Sequence, residues 1–362
     1  MTTDFGTSPM NATPTAERQR AKDLAKQVVL AQGNVFIKEL LREKGRIGTN
    51  KDDFARNLEA AIDDGTLGLD DIRTWVQGVE GWGTQHVYLY DVPRAFAQQN
   101  TWRSPDRIER AIRAAGLGQR WAAPITHGFS DKMSLTRIVC EGGAIIFEWH
   151  EGGALWIRDQ QRDIPPRPED DGEIYKYQAF RQRNERAVMR FVFRPTTAFA
   201  AAFIPLPVTS EAHRTARAQM MAVVHEVIPS DQLMAFNVGR AIGRLDEAQL
   251  RDGATFSTDT TRLSGGGAYV EFGSTVAGHG YREVDTIREV RLAVRVDQVT
   301  GTTATITFSA PGQDGPARDI RVQFYGNDGR LWLRAQMTSR QVWVLLDEIR
   351  KIGRSRGTRR RG

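Results

Sequence analysis

Apolar residues in roughly the first eighty positions recur at three- and four-residue intervals, the spacing of helices that bury one face. Thr13 followed by Pro14 marks a helix start, since proline is tolerated in a first turn. The run AERQRAKDLAKQVVLAQ then places Leu24 and Val28 on one side and stops at Gly33. In NVFIKELLREKG, Asn34 can cap, Phe36, Ile37, Leu40 and Leu41 form the apolar stripe, and Gly45 ends the helix. After the linker Arg46-Ile47-Gly48, Thr49 offers a cap for NKDDFARNLEAAIDDG, with Phe54, Leu58 and Ile62 four apart and Gly65 as a stop. A fourth helix, LGLDDIRTWVQGVEG, aligns Leu69, Ile72, Val76 and Val79.

The period changes to that of strands at Trp82, where WGTQHVYLYDV is aromatic and β-prone. A short helix with Ile108 and Ile112 covers Asp106 to Ala115. SLTRIVC, GAIIFEWH and GALWIRD then read as an antiparallel meander, turning at Glu141-Gly142-Gly143 and at Glu151-Gly152-Gly153. IPPRPEDDGE reads as an exposed loop and AVMRFVFR as a further strand. Two helices follow, near Ser210 to Val227 and Asp231 to Leu250. Strands are expected at GAYVEFGS, EVRLAVRVDQV and TATITFSA, and a hairpin at IRVQFYG-NDG-RLWLRAQ, where Asn327-Asp328-Gly329 can take positive φ. Ser339 opens a last helix with Val342, Leu345, Leu346 and Ile349 facing inward. The expectation is an α+β protein: a flexible leader at 1–14, a helical domain at 15–81, and a mixed or antiparallel sheet domain with helices at 82–352, subdivided near 165–173, followed by a basic tail at 353–362.

Composition narrows the class. Forty per cent hydrophobic and 26% charged residues over 362 positions are ordinary globular values and allow sizeable cores. The single cysteine, Cys140, excludes an intramolecular disulfide and any multi-cysteine zinc site. It sits in an apolar run and reads as a small core residue in a reducing, cytoplasmic setting. No apolar stretch is long enough to span a bilayer, and the N-terminus lacks the pattern of a secretory signal. The longest apolar run, Thr197 to Val208, is interrupted by Pro205 and Pro207. The net charge of +6 and pI near 9.6 favour a polyanionic partner, and the stretch from Arg350 onward, with Arg359, Arg360 and Arg361 near its end, holds no acidic residue.

The segment Asn34 to Asp64, with paired Leu40 and Leu41, Gly45, the turn Gly48-Thr49, Lys51, Phe54 and Leu58, resembles the SAP family of small DNA-binding modules. That resemblance implies duplex DNA as partner and no cofactor. The physical argument runs beside it: a tight turn presents helix N-terminal amides to phosphate, and Arg42, Lys44, Arg46 and Lys51 cluster around it. Asp52, Asp53, Glu59, Asp63 and Asp64 make the second helix of the pair acidic, which works against such a role. The string Trp82-Gly83-Thr84-Gln85, with Arg94-Ala95-Phe96 beyond it, is similar to part of the CENP-N family. Its members pair a helical domain with an α+β domain on nucleosomal DNA, which would imply DNA contact from both halves here.

A second basic stretch, YKYQAFRQRNERAVMRFVFR, interleaves Tyr175, Tyr177 and Phe180 with Lys176, Arg181, Arg183, Arg186, Arg190 and Arg194. It is either a stacking platform for nucleic acid or a strand with core aromatics and surface arginines.

Catalytic patterns are sparse. Ser264-Gly265-Gly266-Gly267 lacks the lysine of a phosphate cradle and reads as a mobile loop. The six histidines (His86, His127, His150, His213, His225, His279) show no i, i+4 pairing of the kind metal sites use. Glu283, Asp285 and Glu289, with His279 upstream, form the one carboxylate group suggestive of a metal-dependent nuclease, and lack a nearby lysine. A protein-interaction adaptor is the alternative class, for which an exposed Trp75 or Trp82 would speak. On balance the expectation is a non-enzymatic DNA-binding protein of the nucleoid.

Overall fold

The computed structural model describes residues 14–124, 132–205, 212–249, 256–274, 289–290, 294, 299–309 and 319–354, without the side chains of residues 14, 154, 155, 157 and 183–185. The four expected N-terminal helices form: α1 (Pro14–Gln27), α2 (Asn34–Glu43), α3 (Lys51–Asp63) and α4 (Leu69–Val79). Their apolar stripes converge on one small core of Leu24, Val28, Ile37, Leu40, Leu41, Phe54, Leu58, Ile62, Ile72 and Val76. The caps differ from expectation by one residue. Asn50, not Thr49, caps α3 by accepting from the Asp53 amide, and Gly33 precedes α2, with Asn34 its first helical residue. Thr49 instead donates its hydroxyl to Asp53, 2.7 Å away.

The rest of the described chain is organised around one eleven-stranded sheet whose ladders are all antiparallel. Its strands are β1 (Gln85–Asp91), β2 (Ser134–Glu141), β3 (Ala144–Arg158), β6 (Phe180–Arg194), β7 (Phe199–Pro205), β8 (Met234–Ala235), β9 (Phe256–Gly265), β10 (Ala268–Gly273), β11 (Thr300–Phe308), β12 (Ile320–Tyr325) and β13 (Arg330–Leu333). The order is β10-β9-β11-β12-β13-β1-β7-β6-β3-β2, with β8 also paired to β1. Strand alternation separates two apolar faces. One face, with Val87, Leu89, Phe203, Val322 and Leu331, lies under α8 (Val238–Ala248) and α9 (Ser339–Arg354). The other, with Tyr88, Tyr90, Phe147, Phe191 and Phe193, lies under α6 (Pro105–Ala114) and α7 (Ala212–His225); α5 (Arg94–Ala97) adds Phe96 to it.

Several expectations needed revision. Gly152-Gly153 is not a turn: β3 runs through it in unbroken register, pairing Gly152 with Arg186 and Gly153 with Glu185. The loop expected at IPPRPEDDGE contains β4 (Ile164–Pro168), which pairs with β5 (Ile174–Tyr177) in a separate two-stranded sheet. The helix expected from Asp231 starts only after Asn237, whose side chain caps α8. Strands β7 and β9 were not anticipated. Gly265-Gly266-Gly267 forms the tight β9–β10 turn, with positive φ at Gly266 and Gly267, rather than a mobile loop. In the β12–β13 hairpin only Gly329 of the three turn residues has positive φ. Cys140 is half-buried at the edge of the core, and burial pushes its thiol pKa up. Most of EVRLAVRVDQV and the last residues 355–362, including Arg359, Arg360 and Arg361, lie outside the described residues.

Candidate functional site

The α2–α3 corner does bring Lys44, Arg46, Gly48, Thr49 and Lys51 together, but the side chains of Lys44, Arg46, Thr49 and Lys51 are already engaged. Lys44 pairs with Asp71 at 3.4 Å, and Arg46 pairs with Asp64. Lys51 Nζ donates to the carbonyl oxygens of Leu30 and Gln32, both at 2.7 Å, and so ties α3 to the end of α1. Thr49 donates its hydroxyl to Asp53, which also receives Arg56. These bonds hold the acids low in pKa: Asp53 through Thr49 and Arg56, Asp64 through Thr66 and then Arg46, and Asp71 through the Gly68 amide and then Lys44. Gly48 is required by packing, since a Cβ there would lie 2.6 Å from the Phe54 ring. Arg42 is exposed. The feature left projecting at the corner is apolar: Ile47 is 87% exposed, its carbonyl held by Asn57.

A different surface concentrates unmet side chains. β2 follows β3 only as far as His150, and β7 follows β6 only from Arg190 onward. Beyond these points β3 and β6 pair, among the described residues, only with each other, and they continue as a two-stranded ribbon to Arg158 and Phe180. Eight residues at strand rise extend this arm about 27 Å past the last buried pair. Trp156 opposes Gln182 and Arg158 opposes Phe180, so these four share one face of the ribbon. Trp156 is 66% and Phe180 50% exposed. Arg158 stacks over Phe180 at 5.4 Å and pairs with Asp163, whose carboxyl Arg158 and the Ala179 amide bring down to about 2.

At the tip, Tyr175 and Tyr177 lie side by side with ring centroids 6.5 Å apart, and Arg167 sits over Tyr177 at 5.7 Å. Their hydroxyls donate to Asp171 and Glu169, which ties both half-exposed rings to the β4–β5 turn. Lys176 and Arg181 are exposed beside them. Of the two readings of this stretch, core aromatics are therefore excluded. Arg186, Arg190 and Arg194, by contrast, are not part of that exposed surface.

Arg190 and Arg186 turn inward at the arm's root. Glu148 receives Arg190 Nε at 2.8 Å and Arg137 Nε at 3.2 Å, and His150 Nε2 lies 3.0 Å from the same carboxylate. Burial opposes ionisation of Glu148, yet Arg190, His150 and Arg137 outweigh it and hold its pKa far below the usual carboxylate value. Arg190 also donates to the Glu80 carbonyl and stacks on Trp82 at 4.7 Å, while Arg186 Nε binds the Glu80 carboxylate at 3.1 Å. Glu80 terminates α4, so this buried charge cluster fastens the helical unit to the sheet.

The string Trp82-Gly83-Thr84-Gln85 is that same junction. Trp82 packs on Phe203 and Trp343, Gly83 has no room for a Cβ against the 335–337 backbone, and Thr84 takes φ 55° while donating its amide to Ala335. Trp82 is buried and Trp75 half-buried, so neither serves as a surface anchor.

No group of three or more His, Cys, Asp or Glu suited to a metal occurs among the described residues. Glu283, Asp285 and His279 lie outside them, and Glu289 is exposed. An open cleft of about 550 Å³ beside the glycine turn is lined by Arg262, Tyr269, Thr302 and Asn327 and presents no nucleophile with a base. Among the described residues no helix is long and apolar enough to cross a membrane. No protein-family model matches the chain, and no curated protein sequence matches it either.

Proposed function

We propose that this chain is a non-enzymatic nucleic-acid-binding protein whose contact is made by the arm, with single strands as the preferred form. The observation that carries this reading is the set of four exposed rings, Trp156 and Phe180 on the β3–β6 ribbon and Tyr175 and Tyr177 on β5 at its tip, with Lys176 and Arg181 also exposed. Exposed flat rings suit bases that have left a duplex, and each such stack is worth about 1–3 kcal/mol. Arg183 and the arginines near the C-terminus would add phosphate contacts. The helical corner contributes little to this reading, because aspartates occupy Lys44 and Arg46 and backbone carbonyls occupy Lys51. A nucleoid-associated location follows from it.

Between residues 151 and 187 the sequence has seven Lys and Arg against eight Asp and Glu. Stacking rather than charge must then supply most of the affinity, so binding should weaken only mildly between 50 and 200 mM salt, unlike a protein with many phosphate contacts. Fluorescence anisotropy with a labelled thirty-nucleotide single strand and its duplex tests this. The wild type should favour the single strand, and Trp156→Ala with Phe180→Ala should weaken it by roughly ten-fold or more. Absence of binding at 50 mM salt would end this reading.

The charge balance of the arm, together with Ile174 at 72% exposure, specifically favours a second reading: an adaptor whose arm anchors in an apolar pocket of a partner protein. No oligonucleotide binding, together with a purified partner complex lost on Trp156→Ala, would select it.

A further inference from the structure

On the sheet face opposite the charge cluster, two histidines far apart in sequence meet. His86 on β1 and His213 in the first turn of α7 are both buried, with ring centroids 4.6 Å apart. Arg330 on β13 places Nη1 2.8 Å from His86 Nδ1. A guanidinium has only donors, so that nitrogen must be the acceptor of a neutral ring. Tyr88 Oη lies 3.0 Å from His213 Nδ1, and the same logic of one donor and one acceptor keeps this ring neutral when the hydroxyl donates.

The surroundings are cationic. Arg330 comes from β13, and α7 supplies Arg214 and Arg217, the latter stacked on Tyr88 at 4.4 Å and bonded to Tyr90 Oη at 3.0 Å. Asp328, in the β12–β13 turn, is already taken by Arg330 at 3.0 Å and Arg214 at 3.1 Å. Trp332 packs on His86 and adds no charge. Arg330 and Arg214, with the one carboxylate Asp328, thus face two neutral imidazoles among the described residues, and Arg217 stands behind Tyr88.

We infer that the His86–His213 pair is an acid-sensitive latch, which holds the first turns of α7 on the sheet while both rings are neutral and releases them when the rings take up protons. The same face of α7 that carries His213 and Arg217 carries Met220 and Val224, both buried against the sheet. Opening the latch therefore uncovers apolar surface that is sealed at neutral pH.

Burial, then Arg330, then His213 push the His86 pKa down to about 4, and burial with Arg330 and Arg214 lowers that of His213. Because these folded values lie below the ordinary 6.5, the stabilisation is full above pH 6.5 and is lost as pH falls from there toward 4. At pH 5 protonation of His86, with a pKa of 6.5 when opened against about 4 when closed, favours the opened state by about 30-fold.

Hydrogen exchange of the whole protein, read on α7 peptides and corrected for intrinsic rates, tests the latch. Exchange at pH 5 should exceed that at pH 7 by roughly 20- to 30-fold, reversibly, while β3 and β6 stay protected. His86→Asn with His213→Asn keeps acceptors in place without a titrating ring and should abolish the difference. Equal protection at both pH values in the wild type, or an acid response that survives in the double variant, overturns the inference. Should the variant fold poorly, NMR titration of the wild-type His86 imidazole decides: titration near 6.5, or titration without coupled shifts in α7, overturns it, and titration near 4 with such shifts upholds it.

Discussion

Glu148 is the residue on which the packing of the molecule's two parts converges. It is acceptor to two guanidinium groups at once, and neither has access to water in its place. Glu148→Gln would leave Arg137 and Arg190 buried beside a neutral amide, and a cost of about 3–5 kcal/mol is expected, measured by urea unfolding at pH 7. Since the carboxyl is held below its ordinary 4.5, its contribution is present above that pH and is lost as pH falls further. This acid limb lies below the window of the histidine latch, so a stability profile should show two separate steps. Little of the arrangement is legible from the chain: Arg186 and Arg190 look like exposed strand arginines because their acidic partners stand 106 and 42 positions away. The apolar stripe of Phe54, Leu58 and Ile62, in contrast, is encoded within one helix and is found in the core as its spacing predicts.

At the scale of elements, the α2–α3 corner illustrates how a local pattern can be right about structure and uninformative about exposure. Helix, turn and helix all form where the periodicity places them, yet Arg46 is bound by Asp64 at the end of α3, Lys44 by Asp71 of α4 and Lys51 by backbone carbonyls. Lys51 is accordingly expected to be structural. Lys51→Ala should cost the protein about 1.5–3 kcal/mol, the value of hydrogen bonds from a charged donor, while leaving oligonucleotide affinity and its salt dependence unchanged. The arm teaches the converse. Gly152-Gly153 has the composition of a turn, and only pairing with the distant β6 converts it to strand. With that ribbon extended, Trp156 and Phe180 are carried away from the core that their hydrophobicity alone would assign them to.

The described residues form one large antiparallel sheet between two helical layers, with the four-helix unit docked on it and the arm, tipped by the two-stranded β4–β5 sheet, projecting from it. The fold class follows from the change of period at Trp82, but the strand order does not, because ladders such as β1 with β13 depend on residues far apart in the chain. If the arm is an appendage, replacing residues 155–183 by an Asn-Gly turn should leave the melting temperature within a few degrees of wild type while abolishing partner binding. Differential scanning calorimetry measures the first and anisotropy the second. A collapse of the transition would mean that the ribbon is part of the core.

The central position of β1 also dictates a schedule for synthesis. His86 meets Arg330 across 244 positions of chain, an interval of roughly 10–50 s at ordinary elongation rates. During that time the four-helix unit can complete itself on the ribosome, whereas the strand that follows it must wait with one edge unmatched. A ribosome-bound nascent chain ending shortly after β7 should therefore present that edge to chaperones, and its release from them should coincide with the emergence of β13.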